Sequence, residues 1–298
     1  MITIFTSTYN RAYVIDNLYQ SLLRQTDMDF EWLIVNDGSS DDTDNYFKAI
    51  IQRNNPFPIR YFFQENKGKH VAINFGVKKA LGELFFIVDS DDFLTNDAVR
   101  KIKEWVCGLD DSKKWAGVAG LKGYTKDHVI GKSFSEVNFI DAKNTERHLY
   151  QIYGDKSEVY FTNVLKKYSF PEIEGEKFME EEYVWNAIGN DGFFIRWFND
   201  IIYIADYLKD GLSYDQNKHK NNPQGTLLWA RQNVKIFQSA NQQKTYDAIL
   251  TYYNAVKKRK SIFSIIKDLD ISFFLFSKCY LNACKNALNN IIRKVQKK

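Results

Sequence analysis

Five consecutive apolar residues, 84–88, run directly into Asp89-Ser90-Asp91-Asp92. A run so short and so unbroken reads as a strand buried on both faces, the situation of strands in a parallel sheet layered by helices. It ends in three carboxylates within four residues. In an open α/β sheet ligands bind beyond the carboxyl ends of the strands, which is where these acids would stand. Carboxylates so close together repel one another unless something positive sits between them. A hard divalent cation, Mg²⁺ or Mn²⁺, is the natural partner, because such ions take one or two carboxylates and let a diphosphate complete the shell. Asp89 and Asp91 point to the same side of an extended chain. The competing reading is a helix N-cap, with Asp91 or Asp92 capping the helix that follows.

The surrounding pattern alternates strands and helices. Residues 2–7, 32–35 and 59–63 read as strands. Ile15, Leu18, Leu22 and Leu23 recur at helical spacing, as do Val71, Phe75, Val77 and Leu81. A helix is expected over 96–109, strands over 117–121 and 158–163, and helical character over 180–188. Residues 123–154 are irregular and polar. Such alternation implies right-handed crossovers and a largely parallel sheet. Beyond Pro223 the composition shifts, and residues 227–298 contain no proline and read as several helices. The expected division is therefore a domain over 1–222 and a helical extension over 223–298.

Charge narrows the partners. Forty-one basic against 37 acidic residues give a net charge of +4, too balanced for a nucleic-acid-binding face. Three cysteines without a CxxC pair argue against a disulfide framework or a structural zinc site and fit a reducing cytoplasm. The opening MITIFTSTYN lacks the charged and apolar regions of a signal peptide. The apolar stretch 271–276 is too short to span a bilayer.

Four motifs occur in order: TSTYNR at 6–11, VNDGSSDDT at 35–43, ENKGKHVAIN at 65–74 and VDSDD at 88–92. Together they resemble the consecutive motifs of the family 2 glycosyltransferases. The resemblance is specific over the first third of the chain and continues less sharply to about residue 215. It implies a GT-A fold, a nucleotide-diphospho-sugar donor, most simply a UDP-sugar, and inverting chemistry. By the same resemblance Tyr9 packs against the base, and Asp37 accepts a hydrogen bond from it. Arg11 and Lys69 lie near base and phosphates. Asp89 and Asp91 form the DxD pair, with Asp91 the direct metal ligand. Ser7, Gly68, Asn74 and Ser90 complete the implied binding set. The residue chemistry is compatible: a tyrosine at a strand end offers a stacking face, and a Gly-Lys pair opening a helix sets N–H groups and a cation near an anion.

A second acidic cluster, Glu180, Glu181 and Glu182, precedes Tyr183-Val184-Trp185. The resemblance implies a general base here, and Glu181 matches its position best. The sequence has Glu where the family usually has Asp, so Glu180 and Glu182 stay open as alternatives. The segment 205–213 resembles a loop closing over the diphosphate, with Lys209 as a candidate phosphate contact. The QxxRW motif and transmembrane helices of processive members are missing, which implies transfer of one sugar. The acceptor expected from the resemblance is a saccharide or lipid-linked hydroxyl in surface polysaccharide synthesis. The basic, amphipathic residues 271–295 fit peripheral contact with a membrane, packing on the domain, or a homodimer. Two other classes compete. A sugar nucleotidyltransferase would need a Gly-rich loop after the first strand, and residues 6–11 contain no glycine. A non-catalytic nucleotide-sugar-binding protein would have no use for a carboxylate pair plus a candidate base.

Overall fold

The computed structural model describes residues 1–134, 137–206, 208, 211 and 214–295, with side chains described through residue 289. The chain divides into two compact units. The first comprises Met1–Lys177 and Val184–Asp215, the second Phe178–Tyr183 and Gln216–Lys298.

The first unit is a sheet covered by helices. Its strands are β1 (Ile2–Thr8), β2 (Phe30–Asp37), β3 (Ile59–Gln64), β4 (Leu84–Ile87), β5 (Phe93–Leu94), β6 (Trp115–Thr125), β7 (His128–Val129), β8 (Phe139–Ala142), β9 (Lys156–Phe161) and β10 (Phe194–Ile204). The helices are α1 (Ile15–Leu23), α2 (Thr43–Ile51), α3 (Lys69–Lys79), α4 (Ala98–Cys107) and the short α5 (Thr162–Leu165), with α6 (Glu182–Asn190) entering from the second unit. The spatial order is β3-β2-β1-β4-β9-β6-β10-β5, with β7 on β6 and β8 on β10.

The half β3-β2-β1-β4 is parallel, as the alternating pattern predicts. The other half is mixed: β9 runs antiparallel to both β4 and β6. The reason lies in the connection. Between β6 and β9 the described residues hold only short strands and one 3-10 turn, Asn144–Glu146. A parallel return needs a crossover, usually a helix, so β9 comes back beside β6 in the opposite sense. The irregular stretch read from the sequence is this connection, whose described residues hold β7, β8 and the 3-10 turn but no α-helix.

Packing follows the apolar spacing. Helix α1 buries Ile15, Leu18, Tyr19 and Leu22, and α4 buries Ala98, Val99, Ile102 and Trp105. Both faces recur every three to four residues and join Ile4, Trp32 and Phe86 of the sheet in one core. A buried Glu31 fixes the register away from the site. Its carboxylate accepts from Thr3 Oγ1 at 2.6 Å, Arg60 Nη1 at 2.9 Å and the Leu81 N–H at 2.8 Å. Removing one partner of such a charge costs about 3–5 kcal/mol, so β1, β2 and β3 are held in one alignment.

The second unit is helical: α7 (Lys218–Asn221), α8 (Pro223–Phe237), α9 (Gln242–Val256), α10 (Ile262–Leu269) and α11 (Phe273–Val295). Pro223 opens α8, where the missing N–H costs nothing. Asn241 and Ser261 cap α9 and α10 through their side chains. Ala230, Val234, Ile249, Tyr252, Ile265, Leu269 and Phe276 form its own core. Among the described residues no helix is long and apolar enough to cross a membrane.

Candidate active site

The parallel register carries the carboxyl ends of β1, β2 and β4 to one edge of the first unit. Thr8 lies opposite Asn36, and Asp37 opposite Gln64. A cleft of about 740 Å³ opens there, within the range of small-molecule sites. Ser7, Tyr9, Arg11, Asp37, Gly68, Lys69, Asp89, Ser90 and Asp91 all line it. Four motifs separated by up to eighty residues in sequence thus meet in one place.

Asp37 is buried and organises the loop between β3 and α3. Its Oδ1 accepts from Gln64 Nε2 at 2.7 Å and the Lys67 N–H at 2.9 Å, and its Oδ2 from the Gly68 N–H at 2.8 Å. The N–H groups ahead of α3 are therefore turned to Asp37, whereas the sequence alone points them at an anion. One lone pair on Oδ2 is left for a further donor. Gly68 and Gly38 adopt φ of +96° and +79°. A Cβ on Gly38 would fall 2.6 Å from the Asn66 nitrogen, so both positions require glycine. Beside them Asn10, also left-handed at φ 53°, accepts from the Ser40 N–H at 2.8 Å and ties the β1 loop to the β2 loop. Tyr9 stands on that loop with 48% of its surface exposed, a flat ring facing a cleft.

The acidic end is asymmetric. Lys69 Nζ pairs with Asp89 Oδ1 at 2.5 Å. Burial pushes the Asp89 carboxyl up, but Lys69 and Lys122 outweigh it and hold the group below its ordinary value. Asp91 goes the other way: burial and the charge of Asp89 raise its proton affinity, and Arg11 and Lys69 offset this only in part. Asp92 is raised to about 7, by burial and by Asp89. The three neighbours thus occupy three different electrostatic positions.

The structure corrects the helix-cap reading. The residues after Asp92 form β5, and the next helix, α4, starts at Ala98 after Asp97. Asp92 is 6% exposed; its carboxylate accepts from Tyr203 Oη at 2.6 Å and from the Asp206 N–H at 2.8 Å. Tyr203 in turn accepts from the Asp89 N–H at 3.0 Å, and Lys122 Nζ lies 4.0 Å from the centre of its ring. Asp92 is therefore a strut that holds the loop, not a cap.

The donor set fits a hard divalent cation. It consists of carboxylate oxygens, and of the pair Asp89 and Asp91 it is Asp91 whose surroundings penalise its bare charge. A cation between Asp89 and Asp91 would relieve that penalty. No group of three or more His, Cys, Asp or Glu converges among the described residues. The protein would then supply one or two oxygens and leave the rest of the shell to substrate and water, the usual manner of Mg²⁺.

Asn74 lies outside the cleft lining. It donates to Phe170 O and Glu172 Oε1, both at 2.9 Å, and accepts from the Phe170 N–H at 2.9 Å, stapling α3 to that segment. Lys209 falls outside the described residues. Glu180, Glu181 and Glu182 belong to the second unit. There Glu180 Oε1 lies 3.3 Å from His219 Nε2 and 3.7 Å from Lys218 Nζ, and burial raises its proton affinity. Glu182 pairs with Lys244 and accepts from Trp229 Nε1 at 3.1 Å. Sequence reasoning missed Lys122, Asp155 and Lys177, which also line the cleft, as does Asp206 of the segment 205–213. A signal existed for the first: Lys122 is a lone cation directly after the apolar strand 117–121.

Comparison with known proteins decides the family. The profile of glycosyl transferase family 2 matches residues 3–168, more than half of the chain. The chain belongs to that family. Glycosyltransferase GlyG of Streptococcus pneumoniae is 25% identical over 285 residues, covering 90% of this chain and 87% of its own. With an uncharacterized glycosyltransferase of Rickettsia felis the identity is 35% over 99 residues, 33% of this chain, and the match spans only 16% of that relative's length. Among solved structures, S. aureus TarS 1–349 in complex with UDP-GlcNAc superposes with a TM-score of 0.66 at 17% identity, covering 90% of this chain and 80% of its own. The mannosyltransferase PcManGT of Pyrobaculum calidifontis, in complex with GDP-Man and Mn²⁺, gives 0.53 at 15% identity, covering 95% and 84%. At such identities these structures establish the fold alone, which is GT-A with helices at the C-terminus.

Proposed function

We propose that this family 2 member is a divalent-metal-dependent glycosyltransferase. It moves one sugar from a UDP-sugar to a hydroxyl of a saccharide or lipid-linked acceptor, with inversion, in the synthesis of a surface polysaccharide. The catalytic domain is assigned to residues 1–222 and the extension to 223–298. The observation that carries the reading is the Asp91 carboxylate, electrostatically unsatisfied in the same cleft as Tyr9, Asp37 and Lys69. The nucleotide sugars bound by TarS and by PcManGT, and the Mn²⁺ of the latter, support a metal–diphosphate site on this fold.

The proposed roles rest on the family resemblance and, for Tyr9, Arg11, Asp37, Lys69, Asp89 and Asp91, on their shared cleft. Tyr9 offers its ring to the base, and Asp37 accepts a base N–H on the lone pair its own loop leaves over. Asp91 and Asp89 would hold the cation, which when bound neutralises the leaving diphosphate. Lys69 and Arg11 add positive charge to the same cleft. Glu181 is the proposed base: it takes the acceptor proton as the hydroxyl oxygen attacks the anomeric carbon and the bond to the diphosphate breaks. Attack opposite the leaving group inverts the centre. Glu180 and Glu182 are engaged by His219, Lys218, Lys244 and Trp229 in the second unit and serve this reading as supports.

Thermal melting with a panel of nucleotide sugars, with and without Mn²⁺, tests the reading. A UDP-sugar at about a hundred times its Kd adds about 3 kcal/mol and raises the midpoint by roughly 5 °C or more. An equal rise in the presence of a chelator would remove the metal from the account. A larger rise with GDP-Man than with every UDP-sugar would remove UDP.

A further inference from the structure

The starts of α10 and α11 present an aromatic surface that the core of the second unit does not use. Phe263 is 76% exposed, Phe274 66%, Phe273 60% and Ile262 46%. The rings of Phe263 and Phe273 stack at 6.4 Å, so residues from two helices make one patch. The inward faces of these helices are already supplied by Ile265, Leu269, Phe276 and Cys279. Isolated exposed apolar residues are ordinary, but a contiguous aromatic cluster marks a docking surface.

The surroundings of the patch say what docks. Lys257, Lys258 and Arg259 form an exposed cationic run immediately before α10. Lys278 lays its Nζ over the Phe274 ring at 4.4 Å, its stem along the apolar surface and its charge at the edge. Lys260 is neutralised by Asp268 at 2.6 Å. Residues 257–278 hold six basic and two acidic side chains, so this stretch alone carries a net charge equal to the +4 of the whole chain. A second copy would bring the same cations against themselves, because a two-fold interface pairs a patch with its own image. A nucleic-acid duplex, its bases stacked inside, would meet the cations but leave the phenylalanines uncovered, and the near balance of charge over the whole chain argues against a nucleic-acid face. An apolar layer beneath an anionic surface satisfies both parts, and phenylalanine has no polar atom that such a layer would strand.

We propose that this face docks peripherally on an anionic lipid bilayer. Phe263, Phe273 and Phe274 enter the boundary of the acyl region, and Lys257, Lys258 and Arg259 meet the headgroup phosphates. The inference stands apart from the proposed transferase activity, since it uses only residues of the second unit.

Co-sedimentation of the full 298-residue chain with vesicles tests it. Vesicles of phosphatidylcholine with about 30% phosphatidylglycerol should pellet the protein at about 0.1 M salt, and phosphatidylcholine alone should not. Phe263→Ser/Phe273→Ser/Phe274→Ser should lose at least about tenfold in vesicle affinity with an unchanged melting midpoint, because the three rings are exposed. Lys257→Gln/Lys258→Gln/Arg259→Gln gives a second, independent loss and removes most of the salt dependence. Donor hydrolysis in solution should be the same in all three proteins, which separates this test from that of the transferase reading. The proposal is overturned if the wild type stays in the supernatant with anionic vesicles, or if both variants pellet as it does. It is equally overturned if the wild type is a dimer that the serine variant converts to a monomer.

Discussion

The Tyr203 hydroxyl donates to Asp92 Oδ2 at 2.6 Å and accepts from the backbone N–H of Asp89 at 3.0 Å. One buried phenol on β10 thus fixes both ends of the acidic loop that follows β4. Asp91, the proposed metal ligand, sits between the two fixed points. The arrangement places the orientation of that ligand under the control of a strand more than a hundred residues away.

Tyr203→Phe removes both bonds and little volume. It leaves a buried Asp92 oxygen and the Asp89 N–H unsatisfied, at a cost of about 1–3 kcal/mol each. Loss of a group that orients a metal ligand typically lowers metal affinity by about 10–100-fold. Mn²⁺ titration followed by thermal melting should show a weakened metal response on top of a lower baseline midpoint. A normal Mn²⁺ response would separate Tyr203 from the metal site.

Asp37 is expected to hold its loop as well as the base. Asp37→Asn turns an amide N–H towards one of the donors Gln64, Lys67 N–H or Gly68 N–H, which now meet oxygens. Two opposed donors in a buried site cost about 2–3 kcal/mol. Denaturant unfolding without nucleotide should show this loss. Unchanged stability would leave Asp37 only a ligand-binding role.

These two residues also mark how far the sequence could be read. Parallel strands β1 to β4, the face of α1 and the presence of α4 were legible, because burial on a regular element leaves a periodic trace. Ser7 to Asp91 were found because local motifs sit at the ends of those strands. Asp92 was not legible: a carboxylate ahead of a helix looks like a cap, and its true partners, Tyr203 and Asp206, come from β10 and its end. Asn74 was legible as a polar residue in a motif, but its bonds to Phe170 and Glu172 depend on a chain segment nearly a hundred residues on. Strands β7 and β8 are two and four residues long, too short for alternation to show.

The glutamates separate by what they lose. Glu182→Gln weakens the contacts with Lys244 and Trp229 and should cost about 1 kcal/mol of stability. Glu181→Gln should lower transfer to an acceptor by about 10²–10⁴-fold, far more than Glu182→Gln does. Transfer rates and midpoints of the two variants measured side by side check this. Full activity in Glu181→Gln would move the base elsewhere.

His219 makes the second unit acid-sensitive. Burial first, and then Lys218, lower its pKa from 6.5 to about 4, although Glu180 lies 3.3 Å away. A histidine kept neutral when folded binds its proton more readily when unfolded. Its contribution is therefore present above pH 6.5 and is lost as pH falls from there to about 4. Near pH 5 the loss is about 2 kcal/mol. Urea midpoints at neutral pH and near pH 5 should differ by more in the wild type than in His219→Gln. Equal differences would place the acid sensitivity in other groups.

The central claim is that Asp91 holds a cation for a nucleotide-sugar diphosphate. Metal-dependent donor hydrolysis by Asp91→Ala, compared with Asp111→Ala at an exposed position, tests it most directly. The account predicts that Asp111→Ala hydrolyses the donor at the wild-type rate. It predicts that Asp91→Ala, still folded by its melting curve, loses at least about a hundredfold. Equal rates in the two variants would contradict it.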